Sequence, residues 1–246
     1  LSAGASTGAV AVAILGFGAG ALSLSGGGFL GALIAFGFVA LLAKMAQGVG
    51  SSATSSLALL LAGVAGAQLF HALTALIIAA SADANQARGI MFWMMGSLSG
   101  SRWHDVYLAV PVALIGSIII FGHARALDAM TFGREAAQAM GVRTNLVMTI
   151  LICTAALLTA VMVSMTGAIG FVGLVVPHAV RFLVGVRHYL LIPATALAGG
   201  VFLILADIIS RTLIAGQSLP IGVVTALVGA PAFAMILIMS SRANSS

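Results

Sequence analysis

Eight apolar stretches, bounded by charged or turn residues, follow one another along this chain at residues 3–22, 29–45, 56–80, 105–121, 146–165, 171–184, 191–214 and 221–239. A helix rises about 1.5 Å per residue, and about 20 residues cross the hydrocarbon core of a bilayer, so stretches of this length read as membrane spans. In lipid every backbone N–H and C=O must be paired within the protein, which excludes open sheets. The fold class is therefore all-α, a polytopic transmembrane helix bundle of about eight spans. Charged residues make up 6% of the chain and its mean hydropathy is +1.21. Soluble chains carry about 25% charged residues, so a soluble globular domain is excluded. The stretch 171–184 is the shortest and carries Pro177, His178 and Arg181.

The connections differ in kind. Most are short and rich in Gly and Ser, whereas residues 81–104, with Trp93 and Trp103, and residues 122–144 are long enough to hold structure of their own. Tryptophan suits the membrane–water interface. With alternating spans, Lys44, Arg125, Arg134, Arg143, Arg187 and Arg242 fall on one side, and Arg88, Arg102 and Arg211 on the other. The positive-inside rule makes the first side cytoplasmic. The net charge of +5 then reflects loop bias, and no nucleic-acid partner is expected. The opening residues lack Met, a basic region and a cleavage pattern, and read as the start of a fragment rather than as a signal peptide. Small residues such as Gly4, Gly8, Gly63 and Gly66 predict close helix packing.

The chemistry-bearing residues are few. The acids Asp83, Asp105, Asp128, Glu135 and Asp207 form no paired-carboxylate motif, no phosphate-binding loop ending in Lys and Ser or Thr is present, and Cys153 is alone. The chain is thus expected to be no enzyme, and any ATP it uses is bound by a partner. Asp207 lies inside an apolar run with Arg211 four residues on, on the same helical face. That pair reads as an ion relay, a docking charge or a structural ion pair. Pro177 removes a backbone donor beside His178 and Arg181, a place for a gating break or a kinked packing helix. His178 and His71 have no second ligand at helical spacing, so no metal site is expected. In residues 125–143, helix formers from Arg134 to Met140 stop at Gly141, a suitable C-cap, and Leu127, Met130 and Met140 supply apolar anchors. Such a short helix pair fits a groove on a soluble subunit or the membrane surface.

Several motifs carry a family resemblance. They are residues 167–178, reading GAIGFVGLVVPH, with Arg181; residues 219–226, reading LPIGVVTA, leading to Gly229, Ala230 and Pro231; residues 59–63; residues 92–98 with Trp103; and Asp207 with Arg211. With these the whole chain, 1–246, resembles a single permease domain of the type II ABC importers, the iron-siderophore, heme and vitamin B12 permease family (FecCD-like). The resemblance implies a ten-span fold of which about eight are here, the first two family helices preceding Leu1.

It also implies roles. Residues 125–143 match the cytoplasmic coupling loop, with Leu127, Gly133, Glu135, Ala136 and Gly141 expected to face the ATPase. Arg211 matches a residue that docks the substrate-binding protein, and Ser55, Ser56 and Leu57 fall at the cytoplasmic gate. Gly170, Gly173, Pro177, His178, Arg181, Asp207, Pro220, Gly222 and Pro231 belong to the family's structural motifs. The implied partners are a second permease copy or close paralogue, two ATP-binding subunits holding ATP and Mg, a periplasmic or lipoprotein substrate-binding protein, and membrane lipid. The implied location is the bacterial inner membrane. Ferric siderophore is the first cargo to expect, then heme and cobalamin. A gradient-driven secondary transporter using Asp207, or a membrane subunit that moves nothing, are readings of other classes.

Overall fold

The computed structural model describes residues 1–15, 23–47, 52–81, 83–214 and 217–243. Among them are eleven helices and no strand: α1 (Ser2–Leu15), α2 (Leu24–Gln47), α3 (Ser52–Ser81), α4 (Ala84–Met94), α5 (Trp103–Gly122), α6 (Ala124–Met130), α7 (Arg134–Ala139), α8 (Thr144–Thr166), α9 (Val172–Val184), α10 (His188–Thr212) and α11 (Ile221–Ala243). The eight apolar stretches correspond to α1, α2, α3, α5, α8, α9, α10 and α11. Five helices are long and apolar enough to cross a membrane, at Leu24–Met45, Leu60–Ala80, Trp103–Gly122, Thr144–Thr166 and His188–Thr212. Shorter apolar helices are Ser2–Ile14, Val172–Val184 and Ile221–Ile236. Large aliphatic side chains point outward from these helices, with Leu183 84% and Leu197 75% exposed. Lipid is the solvent in which such a surface costs nothing. The chain is a multi-pass membrane protein.

The chain forms two compact units, residues 1–94 with 156–168, and residues 95–155 with 169–246. In the first, α1 and α2 meet through glycines. A Cβ at Gly8 would strike the Gly27 carbonyl and lie 2.8 Å from the Gly31 Cα, and one at Gly4 would strike Ala35 and Gly31. Buried Ala5, Ala32 and Ala160 continue this contact, while Ala3 and Ala35 pack with Phe70 of α3. The Thr7 hydroxyl bonds across to α3, 2.8 Å from both the Phe70 carbonyl and the Thr74 hydroxyl. Each group has found a partner inside the protein, as a membrane interior requires.

In the second unit α9 packs on α10 and α11, and α6 on α10. At 13 residues α9 is only about 20 Å long, short of a bilayer's width of about 30 Å. The chain preceding α9 makes up depth. Ile169 packs against Ala206, Ile221 and Val224, and Phe171 abuts Gly229, about 12 Å further along α11 from its first residue. Phe171 has φ 65, left-handed for a bulky residue, and its carbonyl takes the N–H of Val175 at 2.8 Å to open α9. This irregular backbone is tolerated at depth because it lies against protein.

Candidate coupling and docking sites

The expected coupling-loop residues and the Asp207–Arg211 pair lie at the two ends of the second unit, whereas Ser55, Ser56 and Leu57 belong to the first. At the basic end, α6 and α7 form the helix pair anticipated from residues 125–143. Gly133 joins them at φ 99, and Gly141 ends α7 at φ 84. The Gly141 N–H bonds to Gln138 O at 2.9 Å and that of Val142 to Ala137 O at 3.0 Å, a Schellman cap. Ala137 is the buried foot of the pair. Gly133, Glu135, Ala136 and Gly141 are exposed and Leu127 is half-buried. Of the apolar anchors, Met140 is 56% exposed, and Phe132 beside the turn is 78% exposed. The pair thus offers its apolar tips outward.

Two ties moor it. On α7, Gln138 Nε2 donates to the buried Thr144 hydroxyl at 3.0 Å, and the Arg134 guanidinium donates to the Asn145 side chain, both at the start of α8. On α6, Asp128 Oδ1 accepts the backbone N–H of His188 at 2.9 Å and lies 2.7 Å from its Nδ1. Those bonds, with the neighbouring Arg187 charge, hold the Asp128 carboxyl below its ordinary value of 3.8, so it is ionised at neutral pH. The Asp128–His188 joint was invisible to sequence reasoning, because 60 residues separate its members and no spacing rule links them.

At the opposite end, the Ile221 N–H bonds to Gly96 O at 3.0 Å, and the Leu219 N–H to the carbonyl of buried Ser210 at 2.9 Å. Pro220, buried, opens α11. Asp207 and Arg211 form the expected pair on α10, Oδ2 to Nε 2.8 Å, with the Arg211 side chain 49% exposed. One face of the arginine is thus paired and the rest is accessible.

The remaining motif residues do not converge on these ends. Helix α9 runs on through Pro177, and His178 Nδ1 lies 2.7 Å from Leu174 O while its ring meets Phe233 edge-on at 6.0 Å. Arg181 is exposed in the last turn of α9. Gly170 and Gly173 have open space where a Cβ would stand, Gly222 is the carbonyl partner of the buried Thr225 hydroxyl at 3.1 Å, and Pro231 lies inside α11. Ser55, Ser56 and Leu57 belong to the backbone of α3, and their side chains lie outside the described residues. Among the described residues no three His, Cys, Asp or Glu side chains gather to hold a metal.

A helical membrane chain with a capped helix pair at one end and an arginine at the other can be compared with known proteins. The family model of the FecCD transport family matches residues 1–239. The chain belongs to the FecCD transport family. A FecCD relative from Halobacterium salinarum, named a cobalamin import system permease protein, is 41% identical over 238 residues, covering 96% of this chain and 62% of its own length. An ABC transporter permease protein of Bacillus subtilis, with no function in its name, is 39% identical over 249 residues, 100% of this chain and 69% of its own. A solved structure described as an inward-facing metal-chelate type ABC transporter superposes with TM-score 0.82 at 31% identity, covering 97% of this chain and 73% of that one. The chain spans about three fifths of the first relative's length.

Proposed function

We propose that this FecCD chain is the translocating part of an ATP-driven importer for a bulky metal chelate in the cytoplasmic membrane of a prokaryote. The observation that carries the reading is the α6–α7 pair, a capped helical knob with exposed Phe132 and Met140, on the basic and hence cytoplasmic side. Apolar tips on a rigid base suit the groove of a soluble subunit. That subunit would bind ATP and Mg, and a second permease copy would complete the path. Arg211, at the other end of α10, would meet a carboxylate on the substrate-binding protein.

The energetics are differential. ATP bound by the partner drives this chain between conformations only so far as it favours one of them, and the knob is where that preference is transmitted. The Asp207–Arg211 geometry leaves room for docking: Asp207 Oδ2 engages Arg211 Nε at 2.8 Å, while the Arg211 side chain stays 49% exposed. As cargo, the cobalamin name of a relative 41% identical puts cobalamin ahead of ferric siderophore and heme.

The test is reconstitution of the complete protein in liposomes with its ATPase and binding protein, following uptake of labelled cobalamin, ferric siderophore and heme. ATP-dependent uptake of one cargo is expected, and Arg211→Glu is expected to weaken binding-protein affinity about tenfold, the loss of one docked charge pair. Uptake driven by an ion gradient without nucleotide, and abolished by Asp207→Asn, would overturn the reading.

A further inference from the structure

The joint between α6 and α10 has an importance that the presence of a helix pair does not by itself imply. Helix α10 has 25 residues, and the first N–H groups of any helix lack intrahelical acceptors. The local flanking residue, Arg187, is extended and gives no side-chain cap. Pro193 further weakens this end, because it lacks the N–H that Tyr189 O would otherwise accept. The missing acceptor comes from Asp128, on another helix, through the backbone N–H of His188 at 2.9 Å. The imidazole on the same carboxylate oxygen at 2.7 Å fixes its direction, and a carboxylate at a helix N-terminus is favourably placed against the helix dipole.

Helix α10 then runs without interruption to Asp207 and Arg211. By contrast α7 is tied to α8, through Gln138 and Arg134. The two halves of the knob are thus fastened to different spans.

We propose that Asp128 is a positioning residue that caps α10 in trans, so that α6 and α10 move as one body and displacement of the knob reaches the Asp207–Arg211 pair at the far end. This rests on the coupling reading above. A cap that must hold during the stroke makes two demands: its loss uncouples, and a covalent substitute restores coupling.

The experiment uses the complete permease, its ATPase and its binding protein in liposomes, in a Cys153→Ser background, and measures cobalamin, ferric siderophore and heme taken up per ATP hydrolysed. Asp128→Ala is expected to lower that ratio about five- to tenfold, the effect of losing one helix cap, while hydrolysis without binding protein continues. Asp128→Asn, which keeps an acceptor for the His188 N–H, is expected to retain most of the ratio. The Asp128→Cys, His188→Cys pair is expected to be uncoupled when reduced and recoupled when bridged by a short, reversible bifunctional thiol reagent. Recovery in the same sample separates uncoupling from misfolding.

A wild-type ratio in Asp128→Ala, or a bridge that blocks uptake, overturns the proposal and leaves the importer reading standing. Absence of any ATP-driven uptake by the wild-type assembly overturns the importer reading and the proposal together.

Discussion

In the unit built on α1, α2 and α3 the first two helices approach closely enough for backbone to meet backbone at Gly8, Gly27 and Gly31, while α3 joins them through Phe70 and the Thr7 hydroxyl. In the unit that carries the knob, most described glycines touch nothing. Gly173, Gly199 and Gly200 have no neighbour within 4 Å of where a Cβ would stand. That unit's ends carry polar ties, as in Asp128 with His188, Gln138 with Thr144, and Ile221 with Gly96, beside the apolar packing of Ile169 on Ala206, Ile221 and Val224. Both solutions answer the same problem. Lipid chains are as apolar as leucine, so helices gain nothing from burying apolar surface and must gain from close contact or from hydrogen bonds. Close contact yields a rigid pair with no freedom to slide. A few discrete ties leave helices able to move as bodies about their joints.

The largest effect should come from breaking the backbone contact. Gly8→Ala places its methyl on the Gly27 carbonyl, which cannot rotate away. Separating α1 from α2 should cost about 3 kcal/mol, the upper range of overpacking, and lower the Tm of the detergent-solubilised complete protein by about 6–12 °C. A Tm within 2 °C of wild type, about 0.5–1 kcal/mol, would show that the two helices are not locked.

The second unit has a tight place too, but of a different kind. A Cβ at Gly229 would strike the Phe171 side chain at its Cβ, with Cγ 3.0 Å away. Gly229→Ala should cost about 2 kcal/mol. Here the obstacle is a side chain, on a residue whose φ of 65 is itself unfavourable. Phe171→Gly removes both the clash and the strain, so the double substitution should be less destabilised than the sum of the singles by about 1 kcal/mol. No such rescue exists for Gly8, where backbone is the obstacle. Strict additivity at 229 and 171 would remove this distinction between the units.

The difference between the units was only half legible in the sequence. Each of the eight apolar runs corresponds to a helix, and five of those helices are long and apolar enough to cross a membrane. Boundaries moved where polar residues continue a helix beyond lipid: α3 starts at Ser52 rather than 56, α8 at Thr144 rather than 146, and α10 at His188 rather than 191. Helix α4 lay hidden in the tryptophan-bearing connection, since its Asn85, Gln86 and Arg88 break any apolar run. Gly141 was readable as a cap and is one, and the four-residue spacing of Asp207 and Arg211 was readable as a pair and is one. Glycine spacing was a poorer guide. Gly4 and Gly8 make the predicted close approach, Gly66 meets Val39, and Gly63 touches nothing. Spacing says which glycines share a face, whereas only the fold says what that face meets. For the same reason the Asp128 joint had no sequence signal.

The smallest effect tests the open glycines. Gly199 lies inside α10 with no atom within 4 Å of the Cβ position, so Gly199→Ala adds helix propensity and displaces only surroundings. Within a helix interior that exchange is worth about 0.5–1 kcal/mol in favour of alanine, a rise in Tm of about 1–4 °C. Leucine at the same place should be tolerated as well, because lipid accommodates a long side chain where backbone does not. If instead Gly199→Leu lowers the Tm of the complete protein as Gly8→Ala does, then something packs on that face of α10 in the assembled state. The two units would then differ in where their close contacts are made, within the chain for α1 and α2, and against a neighbour for α10. Repeating the Gly199→Leu measurement on dissociated subunits separates these outcomes: a penalty that disappears on dissociation belongs to the assembly, and one that persists belongs to the chain.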